Sequence, residues 1–118
     1  MPLIALSGEA VPDGELTALS TVPAGLVTAA FAYVVAGGPA NLEQLLRFLA
    51  DTVGRHGFGF EPPADVPAVG VFRANARRED WPTVGVVFYR AHLLAGNTLF
   101  VDQLCDGIEA RGANAVAV

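Results

Sequence analysis

The chain contains no lysine, and its 118 residues include only one cysteine and seven basic side chains. Without lysine, a Gly-x-x-x-x-Gly-Lys-Ser/Thr phosphate loop cannot occur, so we predict that this chain does not hydrolyse ATP. The single cysteine, Cys105, excludes an internal disulfide framework. A structural zinc site built on Cys-x-x-Cys pairs is excluded for the same reason.

Positive charge is scarce as well. Seven basic residues face twelve acidic ones, which gives a formal charge of -5 and an isoelectric point of about 4.7. A nucleic-acid-binding protein needs a basic stripe that displaces counterions from the phosphates. The adjacent pair Arg77-Arg78 is followed at once by Glu79 and Asp80. We therefore expect no nucleic-acid partner.

Long apolar runs are also missing. The longest weakly polar run, residues 22–36, contains Pro23, Gly25 and Thr28 and is shorter than the ~20 residues that span a bilayer. The first residues lack the cationic and apolar regions of a signal peptide. We expect no membrane span and a cytoplasmic location. The composition is nevertheless 53% hydrophobic with a mean hydropathy of +0.45, which indicates a fragment whose surplus is covered by the rest of a larger protein.

Residues 1–60 are predicted to be a mainly helical segment of one domain. Residues 2–6 suggest a short buried strand, and Asp13 can cap a short helix through Leu19. A second helix should follow Pro23 and stop at Gly37. A third should start at Pro39. The apolar residues expected to face inward on the second and third helices are Leu26, Val27, Ala30, Phe31, Val34, Val35, Leu42, Leu45, Leu46, Leu49 and Val53.

Residues 61–82 are predicted to be a linker with a short strand at 68–72, and residues 83–118 the truncated start of an α/β domain. A β-rich run at 84–89, a turn at 95–98, a helix to about Arg111 and a strand at 114–118 form a βαβ unit. Its strands should be parallel, with a right-handed crossover. The fold class is thus α/β: a helical segment with a short strand, then an incomplete parallel βαβ unit of the Rossmann or flavodoxin-like type.

Ligands of open α/β sheets bind beyond the carboxyl ends of the strands, and residues 90–98 follow such an end. Arg90 offers a fork of donors, and Asn97 and Thr98 lie at a helix start, which suits carboxylates or amides. His92 could accept a proton or bind a metal. The alternatives are structural: Asn97 or Thr98 is an ordinary helix cap, Arg90 pairs with Asp102 or an acid elsewhere, and a lone histidine is structural.

Several ordered motifs point to a known family. Residues 88–98 and 108–112, together with three earlier segments, resemble the CobN family, the large subunits of aerobic cobaltochelatase, which are related to those of magnesium chelatase. The matching segments are Leu16-Thr17-Ala18-Leu19-Ser20-Thr21-Val22-Pro23, Gly37-Gly38-Pro39-Ala40-Asn41-Leu42, Phe58-Gly59-Phe60-Glu61-Pro62-Pro63, Phe88-Tyr89-Arg90-Ala91-His92-Leu93-Leu94-Ala95-Gly96-Asn97-Thr98 and Ile108-Glu109-Ala110-Arg111-Gly112. The sequence departs from the family at Phe72-Arg73-Ala74-Asn75-Ala76, where a Tyr-His-Pro-like segment is usual.

The resemblance implies a fragment of the subunit that binds hydrogenobyrinic acid a,c-diamide. Co²⁺ is the substrate that this ligase inserts during cobalamin biosynthesis, and AAA-type partner subunits hydrolyse the ATP. The fragment alone should be inactive. Arg90, His92, Asn97 and Thr98 would bind substrate, with His92 as the metal ligand, and the catalytic residues stay unassigned. A magnesium chelatase large-subunit homologue and a non-catalytic structural fragment are the alternatives.

Overall fold

Three helices form in the first half of the chain where their capping residues predict them. In the computed structural model, which describes all residues from Met1 to Val118, these are α1 (Gly14–Leu19), α2 (Ala24–Ala36) and α3 (Pro39–Thr52). The Asp13 carboxylate accepts hydrogen bonds from the backbone N–H groups of Glu15 and Leu16 at 2.8 and 3.1 Å and so caps α1. α2 ends at Gly37, whose φ of 67° suits glycine.

The predicted strand at residues 2–6 is wrong. This segment is extended, but its backbone N–H groups donate to side-chain hydroxyls and not to a neighbouring strand. The Leu3 N–H donates to Thr21 Oγ1 at 2.8 Å, and the Ala5 N–H donates to Ser20 Oγ at 2.9 Å. The Thr21 N–H in turn donates to the Leu3 carbonyl at 2.9 Å. The polar pair before α2 therefore fixes the start of the chain.

The core of the first half lies between α2 and α3. Ala30, Tyr33 and Phe48 are its buried members, and the Tyr33 and Phe48 rings are 5.7 Å apart. The inward faces of α2 and α3 were predicted only in part, because some of the apolar residues expected to face inward are exposed. On α2 these are Val34 and Val35. The exposed α3 leucines are Leu42 and Leu46.

Residues 61–67 contain neither helix nor strand, as predicted, but polar side chains of α2 and α3 bind their backbone. The buried Asn41 amide donates to the Ala64 carbonyl at 2.8 Å and accepts from the Ala64 N–H at 2.9 Å. The Tyr33 hydroxyl donates to the Glu61 carbonyl at 2.6 Å. Burial, and secondly the negative charge of Glu61, raise the pKa of Tyr33. Residues 61–66 are thus an ordered part of the compact unit Met1–Val66.

The chain divides into two compact units, Met1–Val66 and Pro67–Val118. The second contains β1 (Arg73–Ala74), β2 (Thr83–Val86), α4 (Arg90–Leu94), α5 (Leu99–Glu109) and β3 (Asn114–Ala117). The assignment of residues 1–60, 61–82 and 83–118 to separate parts of a larger protein stays a prediction.

The sheet of the second unit has the order β1-β3-β2. β2 and β3 are parallel, with Thr83 opposite Asn114 and Val86 opposite Ala117, so the predicted β2–α5–β3 unit is confirmed. β1 pairs antiparallel to β3. The predicted position of the short strand, residues 68–72, is wrong, because the strand occupies residues 73–74. The α/β class is confirmed, whereas the Rossmann or flavodoxin-like detail stays a prediction.

One face of this sheet packs against α5. The buried core comprises Val86, Val101, Cys105, Ala115 and Ala117. Burial raises the pKa of the Cys105 thiol, although the Arg73 guanidinium lowers it in part. Cys105 is therefore a neutral core side chain, whereas its neighbour Leu104 is exposed.

The chain has no helix of sufficient length and apolar character to cross a membrane.

Candidate functional site

The parallel strands β2 and β3 end at the same edge of the sheet, and an open groove of about 350 Å³ lies there. Such edges are where ligands bind in open α/β sheets. The volume is near the lower end of the range of pockets for small molecules, roughly 300–1,000 Å³. Its walls are mostly apolar and include Val69, Val71, Phe72, Phe88, Leu93 and Val118.

Residues 67–72 form one wall of this groove, and we call them the strap. At one end of the strap, the Arg90 Nε–H donates to the Pro67 carbonyl at 3.2 Å. At the other end, the Phe72 N–H donates to the Ala117 carbonyl at 2.8 Å, and the Phe72 ring meets the edge of Phe88 at 5.3 Å. The strap is thus fixed at both ends across the carboxyl edge of the sheet.

Arg90 lies beyond the carboxyl end of β2, as predicted, with residues 87–89 between them, and it lines the groove. It is the first residue of the short helix α4, an element that was not predicted from the sequence. α4 forms because Arg, Ala and Leu are strong helix formers, and Gly96, with a φ of 67°, ends the turn that follows. Asp102, one suggested partner of Arg90, is bound by Arg73.

The other predicted site residues lie outside the groove lining. His92 is half-buried on α4, and its ring meets the edge of Phe100 at 4.9 Å. Asn97 is exposed in the connection between α4 and α5. Thr98 is the N-cap residue of α5, but its side chain makes no capping hydrogen bond. Of the four predicted residues, only Arg90 is therefore part of the groove, and substrate contact by any of them stays a prediction.

The chain contains no group of three or more His, Cys, Asp or Glu side chains placed to hold a metal ion. The ring of His92 packs on Phe100 in an aromatic contact. A role of His92 as a metal ligand stays a prediction.

A family model described as CobN/Magnesium Chelatase matches residues 31–118, which include all of α3 and the complete second unit. The chain belongs to this family. The match includes the strap, the groove and all four of the predicted site residues.

Relatives that carry the CobN name match almost the whole chain. An aerobic cobaltochelatase subunit CobN from Pseudomonas aeruginosa is 33% identical over 98% of the chain, and one from Sinorhizobium sp is 32% identical over 96%. The solved catalytic subunit of cobaltochelatase from Mycobacterium tuberculosis is 44% identical over 98% of the chain, with a TM-score of 0.89. The chain spans about a tenth of the length of each of these proteins.

The segment that departs from the CobN pattern contains an arginine whose ion-pair cluster was not predicted from the sequence. Arg73 on β1 binds Asp106 Oδ1 at 2.6 Å, Glu109 Oε2 at 3.3 Å and Asp102 Oδ1 at 3.4 Å. A hydrogen bond from Arg73 to the Asp106 carboxylate raises the pKa of Arg73 further. The three acids lie three or four residues apart on α5, and this spacing was the available signal.

We call Arg73 and its three carboxylate partners the Arg73 cluster. The cluster joins β1 to α5. It lies beside the strap, since Arg73 directly follows Phe72. We expect Arg73→Met to destabilise the second unit, since three carboxylates then face one another without their cation. Urea denaturation, followed by far-ultraviolet circular dichroism for both units and by Trp81 emission for the second, measures the loss. Arg47→Met is the matched control: its exposed pair with Glu43 should contribute less than about 1 kcal/mol. Equal losses in the two variants would contradict a structural role of the cluster.

Proposed function

We propose that this chain is a segment of the large, tetrapyrrole-binding subunit of a cobaltochelatase. The complete enzyme inserts Co²⁺ into hydrogenobyrinic acid a,c-diamide, with both compounds as substrates, and forms nitrogen–metal bonds as a ligase of cobalamin biosynthesis. AAA-type partner subunits hydrolyse ATP in the cytoplasm. The segment alone is inactive and contributes part of the surface around the corrinoid.

The observation that carries this proposal is the likeness to the Mycobacterium tuberculosis catalytic subunit, at 44% identity and a TM-score of 0.89. Identity at this level over 98% of the chain supports a common role as well as a common fold. Both CobN relatives are named as subunits of an aerobic cobaltochelatase, which favours cobalt over magnesium. This segment contains no lysine, so it contributes no phosphate loop to the complete enzyme.

The groove supports a contribution to substrate binding, but not the reaction itself. It has one cationic side chain, Arg90, among apolar walls. A corrinoid has an apolar ring system with acid and amide side chains, and an apolar wall with one arginine suits a part of such a molecule. The groove is too small to enclose the macrocycle, so other parts of the complete subunit supply the remaining contacts.

A chimera tests the proposal in a complete enzyme. In the Mycobacterium tuberculosis catalytic subunit, the matching segment is replaced by residues 1–118 of this chain. With partner subunits, ATP and Co²⁺, we expect conversion of hydrogenobyrinic acid a,c-diamide at a rate within about tenfold of the parent, a loss below ~1.4 kcal/mol of transition-state stabilisation.

Two controls make the result interpretable. A chimera that also contains Phe48→Ala should lose thermal stability and activity together, which shows that the grafted segment must fold. In the second control, the assay contains Mg²⁺ and a porphyrin in place of Co²⁺ and the corrinoid. A chimera that folds and assembles with its partners but inserts no cobalt would contradict the proposal, and magnesium insertion by the same chimera would favour the magnesium chelatase alternative.

A further inference from the structure

One end of the strap is attached to the sheet through a very short strand. Phe72, the last strap residue, donates its N–H to the Ala117 carbonyl at 2.8 Å. β1 follows directly and consists of two residues, with Ala74 opposite Val116. Strands in globular proteins usually have roughly 3–10 residues, so the pairing of two contributes little stability by itself. Other contacts of this segment therefore decide whether it stays on the sheet.

The Arg73 cluster supplies such contacts from the side chain of β1. Arg73 Nη1 donates to the Asp102 backbone carbonyl at 3.0 Å, and Nη2 binds the Asp106 carboxylate at 2.6 Å. The Arg73 side chain is 18% exposed, so water screens these contacts less than it screens an ion pair on the open surface. Both arms of the guanidinium fork are thus bound by α5, a geometry that lysine does not reproduce.

Asn75 adds a second contact between the same two segments. Its Nδ2 donates to both carboxylate oxygens of Glu109 at 2.9 Å. Residues two positions apart in an extended chain direct their side chains to the same face, which explains why Arg73 and Asn75 both reach α5. The chain that directly follows the strap is therefore joined to α5 at two positions.

The rest of the strap is held less firmly. Val69 and Val71 are exposed, and Gly70 between them has no side chain that could restrict the backbone. At the far end, the Arg90 Nε–H donates to the Pro67 carbonyl at 3.2 Å, in an exposed contact. The position of the Phe72 ring, 5.3 Å from that of Phe88, is therefore set at the end of the strap where the Arg73 cluster lies.

We infer that Arg73 is a positioning residue for the proposed corrinoid site, because its cluster with α5 holds the strap at the carboxyl edge of the sheet. With the cluster intact, Val71 and Phe72 form one wall of the groove. Without it, β1 separates from β3, and Phe72 moves away from Phe88. The occupant of the groove rests on the proposed function, whereas the attachment of the strap by Arg73 does not.

Hydrogen exchange of this chain, resolved by NMR, tests the attachment. The Asn114 N–H, which donates to the Pro82 carbonyl at 2.7 Å at the other end of β3, serves as the internal reference. Arg73→Met should raise the exchange rate of the Phe72 N–H relative to that reference by roughly tenfold, since local opening releases it. Arg111→Met is the matched control, because Arg111 binds only the Gly107 carbonyl and should leave the ratio unchanged.

A neutral variant separates the attachment from charge repulsion, because three carboxylates without their cation can also weaken α5. Its substitutions are Arg73→Met, Asp102→Asn, Asp106→Asn and Glu109→Gln. No charges then remain to repel one another, and the ratio of exchange rates should still rise by roughly tenfold. Arg73→Lys retains the charge but not the fork, so we expect a smaller rise. Thermal unfolding establishes that each variant is folded.

The chimera with the Mycobacterium tuberculosis catalytic subunit tests the positioning role. When it contains the neutral variant, KM for hydrogenobyrinic acid a,c-diamide should rise by roughly tenfold while kcat stays within about twofold, because a displaced wall weakens substrate and transition state alike. Arg73→Lys should recover part of this KM. A folding defect would instead reduce the amount of active enzyme and therefore lower the apparent kcat without a change in KM.

Each outcome decides the inference. Faster exchange of the Phe72 N–H together with a raised KM supports it. An unchanged exchange ratio in the neutral variant overturns it, and so does an opened strap in a chimera that keeps the parent KM. If the chimera without these substitutions inserts no cobalt, the proposed function has failed by its own assay. The exchange ratio alone then decides whether Arg73 attaches the strap.

Discussion

Phe48→Ala should lower the free energy of unfolding of the first unit by about 3–5 kcal/mol, the usual loss for a buried phenylalanine. Phe48 on α3 is only 6% exposed. Its ring lies 5.7 Å from that of Tyr33 on α2 and meets the edge of Phe60 at 5.1 Å. It therefore joins both helices to the segment that follows them. Removal of the ring leaves a cavity that these neighbours can fill only in part.

Urea denaturation followed by far-ultraviolet circular dichroism measures this loss, and hydrogen exchange locates it. The backbone N–H groups of α2 and α3 should exchange faster in the variant, because protection in these helices depends on their common core. The amides of residues 58–64 should follow, since Tyr33 and Asn41 bind the backbone there.

Leu46→Ala is the control on the same helix. Leu46 is 68% exposed, so its truncation should change the free energy of unfolding by no more than about 0.5 kcal/mol. The apolar spacing of α3 predicts the opposite, because it places Leu46 on the inward face. Comparable losses for Leu46→Ala and Phe48→Ala would mean that the helix is rotated relative to the structure described above.

The face of α3 that packs inward differs from the face that its apolar spacing predicts. Spacing predicted the helix and its start at Pro39, but it placed Leu42 and Leu46 inside. In the structure, Asn41 is 4% exposed and Leu42 is 43% exposed. Asn41 is buried because its amide pairs with the backbone of Ala64, 23 residues later. A partner so distant in sequence leaves no signal in helical periodicity, so tertiary structure overrides the pattern.

The same limit explains the misplaced strand of the second unit. Residues 68–72 are rich in valine and end in phenylalanine, which is typical of a strand. Only Arg73 and Ala74 pair as β1, however, because β3 supplies partners there and the Arg73 cluster joins the strand to α5. The parallel β2–α5–β3 unit was predictable because its apolar runs, turn and helical spacing all agree.

Only one part of the candidate site could be predicted. The rule that ligands bind at strand ends placed Arg90 at the carboxyl edge of the sheet, and Arg90 lines the groove. The strap could not be predicted, because it reaches this edge through hydrogen bonds to residues more than 20 positions away. His92 was predicted from its chemistry, and no sequence pattern indicated its contact with Phe100.

Asn114→Ala should cost the second unit about 2–4 kcal/mol, because each buried polar group left without its partner costs roughly 1–3 kcal/mol. Asn114 is 7% exposed at the start of β3. Its Nδ2 donates to the carbonyls of Arg78 and Trp81, both at 2.9 Å, and its Oδ1 accepts from the Arg78 N–H at 2.8 Å. One side chain thus holds the loop before β2, and water can satisfy these groups only in part.

Trp81 is the single tryptophan of the chain and reports this loop directly. The Arg78 guanidinium lies 4.2 Å from the centre of its ring, so release of the loop should change Trp81 emission even before global unfolding. Urea titration should give a lower midpoint in the variant. Hydrogen exchange should show faster exchange in residues 78–82, with little change in α1, which belongs to the other unit.

Asn97→Ala is the matched control, and it connects this prediction to the candidate site. Asn97 is exposed, so its removal should change the free energy of unfolding by no more than about 0.5 kcal/mol. A loss of stability in Asn114→Ala but not in Asn97→Ala would assign the buried asparagine to the loop. Asn97→Ala would then be a folded variant, and corrinoid binding by the complete subunit that carries it could be measured without a stability defect. Equal stability of Asn114→Ala and the parent chain would contradict the role of Asn114.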